Sequence, residues 1–268
     1  TPKQVMFWIA VIGIIFASML PITSWDVYSY IGNGWVDSHY GENPYYTSVQ
    51  EIADIYGNDE VTGKVARCWR EEPVIYGPAW SLICKGLTSL SFGSIDIALF
   101  AFKVATFLVF LGSCYLVWKL TKKQFWVLFF GLNPFILFDA LTNVHNDIFL
   151  VFFVLLALYL GLRKQKIALA VGCFAVATAI KYVSVLLIPF FIIYVLRKEP
   201  IKKRIEKTIL YALEFIVIIA VFYSVYIQDL SVFAGVFIQQ NKYTRSLFLG
   251  LWFLVNGNEV ILDIIKMV

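Results

Sequence analysis

Apolar residues in this chain do not alternate with polar ones; they run in blocks. Residues 5–20, 95–118, 125–138, 148–162, 167–180, 183–196 and 208–227 are nearly unbroken stretches dominated by aliphatic and aromatic side chains. An eighth block opens at 246–255. Runs of this kind are the pattern of helices that cross a bilayer. The expected fold class is therefore all-α, a polytopic helical membrane protein of about eight spans. Residues 1–268 read as one membrane domain, with residues 23–94 forming an external loop after the first span.

Composition sharpens this picture. Apolar residues make up 60% of the 268 positions and charged residues 15%, against roughly 45–50% and about 25% in soluble domains. The block at 5–20 has no small-x-small cleavage site, so it reads as a span and not as a signal peptide. The chain opens on Thr1 and closes on Val268 inside apolar sequence, and we expect it to be C-terminally incomplete. Of the four cysteines, Cys114 and Cys173 lie in apolar blocks and read as buried small hydrophobes. Cys68 and Cys84 share the external loop, which leaves a disulfide between them open.

Charge placement sets the expected topology. Basic residues cluster at Lys119, Lys122 and Lys123, at Arg163, Lys164 and Lys166, and from Arg197 to Lys207. Such loops stay cytoplasmic. Acidic residues gather between the first two long blocks, so that loop goes outside, and the net charge of +4 calls for no nucleic-acid partner. Between Lys166 and Arg197 the chain must leave and return, which requires two helices of about 14 residues turning near Lys181–Tyr182. Each would rise about 21 Å, short of a hydrocarbon core of roughly 30 Å. The alternative, one straight helix with Lys181 at its midpoint, puts a basic cluster outside. Shortened hairpins imply a water-filled cavity at their outer turns, because irregular backbone at membrane depth needs protein or water around it. Residues 78–92, apolar but short and carrying Lys85, are expected to lie on the outer surface.

Polar groups at membrane depth are the functional candidates. Asp26 follows the first span amid aromatics, where partial desolvation suits a general base; the competing reading is a helix cap. Asp139, Asn143, Asn146 and Asp147 share one face of an ideal helix, with His145 pointing elsewhere, and such a face suits a sugar or phosphate. Lys181 in the outer leaflet wants an anion, with snorkelling as the alternative. Lys103 is expected to pair with an acid such as Asp96 or Asp139. Arg245 reads equally as a phosphate clamp or an interfacial arginine. No GxxxxGK[ST], HExxH, GxSxG or first-loop Asp-x-Asp is present, so no metal or cofactor is expected.

Several motifs occur in a telling order. They are Asp26-Val-Tyr-Ser-Tyr-Ile-Gly-Asn-Gly, Gly41-Glu-Asn-Pro-Tyr45, Tyr76-Gly-Pro-Ala-Trp80, Asn143-Val-His-Asn-Asp147 and Ala179-Ile-Lys181, followed by a span containing Pro189. The set resembles the GT-C class of integral membrane glycosyltransferases, and within it the polyprenyl-phosphate-sugar-dependent mannosyltransferases of prokaryotic envelopes. The resemblance implies that Asp26 is the base that deprotonates the acceptor hydroxyl. It puts His145, Asn146 and Asp147 near the donor phosphate and Lys181 against the lipid phosphate, and Tyr45 and Tyr76 near the sugar cavity. Tyr30, in the motif that Asp26 opens, joins Asn143 as an expected sugar or acceptor contact. The expected partners are a polyprenyl-phosphate sugar, a glycan or glycolipid acceptor and membrane lipids, with the active site on the outer side. Two rival readings remain: a transporter or lipid flippase gated by Lys181 and Asp147, and a membrane subunit without activity.

Overall fold

A computed structural model describes residues 1–235, apart from the side chains of Arg67 and Cys68; the block at 246–255 and Arg245 lie outside the described residues. Among the described residues all regular structure is helical. Helix α1 (Pro2–Ser18) is apolar all round and ends where Met19 turns extended, two residues before Pro21. Helix α2 (Asp26–Ser38) and helix α3 (Val49–Tyr56) follow, the latter opened by a reciprocal cap between Ser48 and Glu51. Helix α4 (Pro78–Ser89) starts with proline at its first position, where the missing N–H costs nothing. Then come α5 (Ile95–Thr121) and α6 (Gln124–Gly131). Helix α7 (Asp147–Leu158), helix α8 (Ile167–Ile180), helix α9 (Ile188–Leu196) and helix α10 (Ile201–Tyr223) complete the order.

The segment between the first two long blocks is folded against the bundle. Residues 78–92, expected not to span, form α4, which packs along α2 in the main core, with Trp80 only 1% exposed and Ala79 and Cys84 buried. The cause is the stripe formed by Trp80, Cys84 and Thr88 at four-residue spacing, which needs a partner surface. Gly34 supplies it: a Cβ there would lie 2.6 Å from the Cys84 carbonyl oxygen, so only glycine allows so close a crossing. Cys84 is a free thiol, which removes the disulfide with Cys68.

The chain does turn back near Lys181. The rings of Phe174 and Phe191 touch, with centroids 5.0 Å apart. Seventeen residues of straight helix would separate them by about 25 Å. The expected cytoplasmic loops also meet, since the Arg163 guanidinium donates to the Leu120 carbonyl. Span count is a different matter. Among the described residues one helix, α5, is long and apolar enough to cross a membrane, and the pair α6 plus Pro134–Thr142, bent by 45°, would make a second if it is one broken span. α1, α8 and the Tyr182–Leu196 segment are shorter apolar helices. Outward-facing Phe7, Trp8, Phe100, Phe129, Phe190 and Val217 leave a broad apolar surface uncovered.

Within the external segment Asp59 is the organising acid. Trp35 Nε1 and the Tyr40 hydroxyl donate to one of its oxygens at 2.7 and 2.8 Å. The Thr62 N–H and hydroxyl donate to the other at 2.6 and 2.8 Å. Burial alone pushes its carboxyl up, but these four donors together outweigh burial and hold it below the usual carboxylate range. Burial and the bond to Asp59 raise the Tyr40 phenol to about 12. A depressed folded-state value means stability that is present above the unfolded value and lost as pH falls through the folded one. Asp59→Asn is therefore expected to destabilise the protein by about 1–3 kcal/mol at pH 7. The difference from wild type should shrink below pH ~4, as read by thermal unfolding across pH.

Candidate functional site

The site forms where three chain breaks meet. The first is the exit from α1 into α2. Asp26 is the first residue of α2, and its side chain makes no capping bond, so the cap reading does not hold and the carboxylate is left for other work. The second break lies between α6 and α7. Pro134 restarts the helix, a π-helical turn runs over Leu137–Thr142, and Val144 takes a left-handed backbone with φ of 61°. Residues 139–147 are thus not one helix, and the expected single polar face does not exist. Its loss swings His145 inward. His145 Nδ1 lies 3.5 Å from Asp26 Oδ2 and its Nε2 lies 3.7 Å from Asp139 Oδ1.

The third break is the bend after α8. Lys181 is extended, and its Nζ donates to Asp147 Oδ1 at 2.7 Å. Both side chains are partly exposed. Residues 145–147 therefore bridge the Asp26 carboxylate on one side and the Lys181 ammonium on the other. The Tyr76–Gly77 turn closes the gap: Gly77 N–H donates to the Ile180 carbonyl at 3.1 Å. A Cβ on Gly77 would sit 2.2 Å from the Ala179 carbonyl oxygen, so the loop rests directly on the end of α8.

Asp26 lines a small cleft together with Tyr30, Asn33 and Tyr76, among others. The Tyr30 and Tyr76 hydroxyls lie 3.4 Å apart. Burial raises the Tyr76 phenol most, the bond to Tyr30 pulls it back in part, and the charges of Asp26 and Asp147 add to the rise, so it stays protonated and can donate. Asn33 was missed in the sequence, although it stands seven residues from Asp26, two turns along one face of α2.

Other expected site residues are used differently. Asn143 is 3% exposed, and its amide is spent on the chain after α1: its oxygen accepts from the Ile22 and Thr23 N–H groups and its nitrogen donates to Thr23 Oγ1. It holds the wall of the site. Asn146 is 0% exposed. Tyr45 is buried too, donating to the Tyr76 carbonyl and accepting from Ser81. Lys103 pairs with neither Asp96 nor Asp139; it donates to the carbonyls of Met19, Leu141 and Thr142. Arg245 lies outside the described residues. Asp139, His145 and Asp147 each bring one ligand atom within 4.8 Å of the others, a spacing that a metal ion can bridge.

The chain belongs to the family described as alpha-(1->6)-mannopyranosyltransferase, N-terminal domain, which it matches over residues 1–197. It is 27% identical over 190 residues to alpha-(1->6)-mannopyranosyltransferase A of Corynebacterium glutamicum, an alignment covering 68% of this chain and 36% of that protein. Alpha-(1->6)-mannopyranosyltransferase B of the same organism is 25% identical over 148 residues, covering 53% of this chain and 24% of that protein. The chain thus spans about a third or less of the length of these relatives. No solved structure matches it significantly.

The Gly77 contact is directly testable. Gly77→Ala must push the loop off α8, and it is expected to cost about 1–3 kcal/mol. A thermal-unfolding midpoint equal to wild type would contradict the close approach.

Proposed function

We propose that this chain forms the donor-side part of a membrane glycosyltransferase. It would move a mannosyl group from a polyprenyl phosphate to an acceptor hydroxyl on the outer face, with inversion. The observation that carries the reading is the placement of Asp26 and Lys181 on either side of residues 145–147. An inverting transfer needs a base on one face of the sugar and positive charge at the phosphate leaving from the other. Membership of the mannosyltransferase family supports the sugar, and the uncovered apolar surface supports a bilayer setting with several short spans.

In this mechanism the acceptor O–H bond breaks as its proton passes to Asp26. The acceptor oxygen bonds to the anomeric carbon, and the bond from that carbon to the phosphate oxygen breaks. Lys181 turns from Asp147 to the departing phosphate, and His145, held between two carboxylates, orients Asp26. Tyr30 and Tyr76 border the cleft beside the base. A lipid transporter gated by the Lys181–Asp147 pair is the second reading, because that pair is formed at 2.7 Å.

Incubating the detergent-solubilised full-length protein with labelled polyprenyl-phosphate mannose and a glycan acceptor separates the two. Product formed without a membrane gradient is expected, and none would remove the enzymatic reading. Asp26→Asn should lower kcat by about 10²–10⁴-fold with donor binding retained. Lys181→Met should lower it by about 10²–10³-fold. Because Lys181 supplies the cationic charge, turnover is expected to survive a metal chelator; loss that returns on adding a divalent cation would hand the phosphate role to a metal held by Asp139, His145 and Asp147.

A further inference from the structure

Lys103 is 8% exposed in the middle of the bundle, and no carboxylate pairs with it among the described residues. Its three partners are all backbone carbonyls. Met19 lies just past the end of α1, and Leu141 and Thr142 end the π-helical turn. Carbonyls at helix ends have no partner within the helix and carry partial negative charge. Two such ends converge here. An ammonium has three donors and no acceptor, and it meets three acceptors; a water would leave one unmet.

The same two segments are tied again on either side. Thr142 Oγ1 donates to the Phe16 carbonyl at 3.1 Å. Asn143 Oδ1 accepts from the Ile22 and Thr23 N–H groups at 3.1 and 3.2 Å, and its Nδ2 donates to Thr23 Oγ1 at 2.6 Å. Asp26 stands three residues beyond Thr23, and His145 two beyond Asn143. The distance between Asp26 and His145 is therefore set by what clasps 16–23 to 141–143.

We infer that Lys103 is a positioning residue for the transfer reaction: it pins the α1 exit to the 141–143 break and so holds Asp26 beside His145. This rests on the function proposed above. Lys103 touches neither sugar nor phosphate. Its loss acts on the rate of the chemical step and leaves recognition of the lipid donor intact.

The test uses the full-length protein with Lys103→Met and Lys103→Gln. Deuterium exchange over residues 19–26 is read beside kcat and KM. The Met variant is expected to exchange at least about tenfold faster at Ile22 and Thr23. Its kcat should fall about 10–100-fold, with KM for the lipid-linked sugar changed by less than about threefold. Gln keeps two donors and should fall between Met and wild type. If Lys103 mattered only for packing in an apolar interior, Met would be tolerated better than Gln, so that order would overturn the inference. So would unchanged exchange, or a loss confined to KM. Should Lys103→Met fail to fold, Thr23→Val removes only the outermost bond of the clasp and is expected to shift exchange and kcat the same way by a smaller factor; no shift would overturn the inference. A wild type without transfer activity would remove the proposed function and the positioning role with it, whereas the exchange result alone would judge the clasp.

Discussion

Interrupting a helix among apolar neighbours strands backbone groups that water cannot reach, and each must find a partner within the protein. Asp26, His145 and Lys181 each sit at or beside such an interruption. At 141–143 the stranded carbonyls are met by the Lys103 ammonium, and the amides of Ile22 and Thr23 are met by Asn143. At the end of α8, the Ile180 carbonyl is met by Gly77. Those solutions fasten separate parts of the chain together. The segments that carry Asp26, His145 and Lys181 are brought close by the same bonds that make their irregular backbone tolerable.

Much of this was legible in the chain, and for a physical reason. Blocks of apolar residues and clusters of lysine are one-dimensional signals, so the helical class and the hairpin turn at Lys181 could be read directly. The short-helix argument also pointed to the breaks at the two hairpin turns. What failed depended on geometry at those breaks. A helical wheel over 139–147 assumed 3.6 residues per turn, whereas the π-helical turn and the left-handed Val144 rotate His145 to the opposite side. Lys103 was expected to seek a carboxylate, because carbonyls freed by a broken helix are invisible in a list of side chains. For the same reason the sequence did not show that the Asn143 oxygen takes two backbone N–H groups and its nitrogen the Thr23 hydroxyl.

Family membership and geometry inform different questions here. The match over residues 1–197 covers the three breaks and the residues around them, while the relatives named above extend well beyond the aligned region. Asp26, His145, Asp147 and Lys181 all fall inside the matched stretch. The proposed division of labour, with the base and the phosphate-facing ammonium in this part of the chain, is consistent with that coverage.

The Lys181–Asp147 pair has a consequence for what can occupy the pocket. Partly exposed ion pairs are worth only about 0–1 kcal/mol, so in the proposed mechanism the carboxylate would be a placeholder that leaves readily. A small inorganic anion would bring charge and little else, and would gain almost nothing by swapping places with it. A phosphate tethered to a sugar on one side and a hydrocarbon tail on the other would arrive with contacts the placeholder lacks. The resting pocket would thereby be indifferent to the common anions around it and yield to a larger guest.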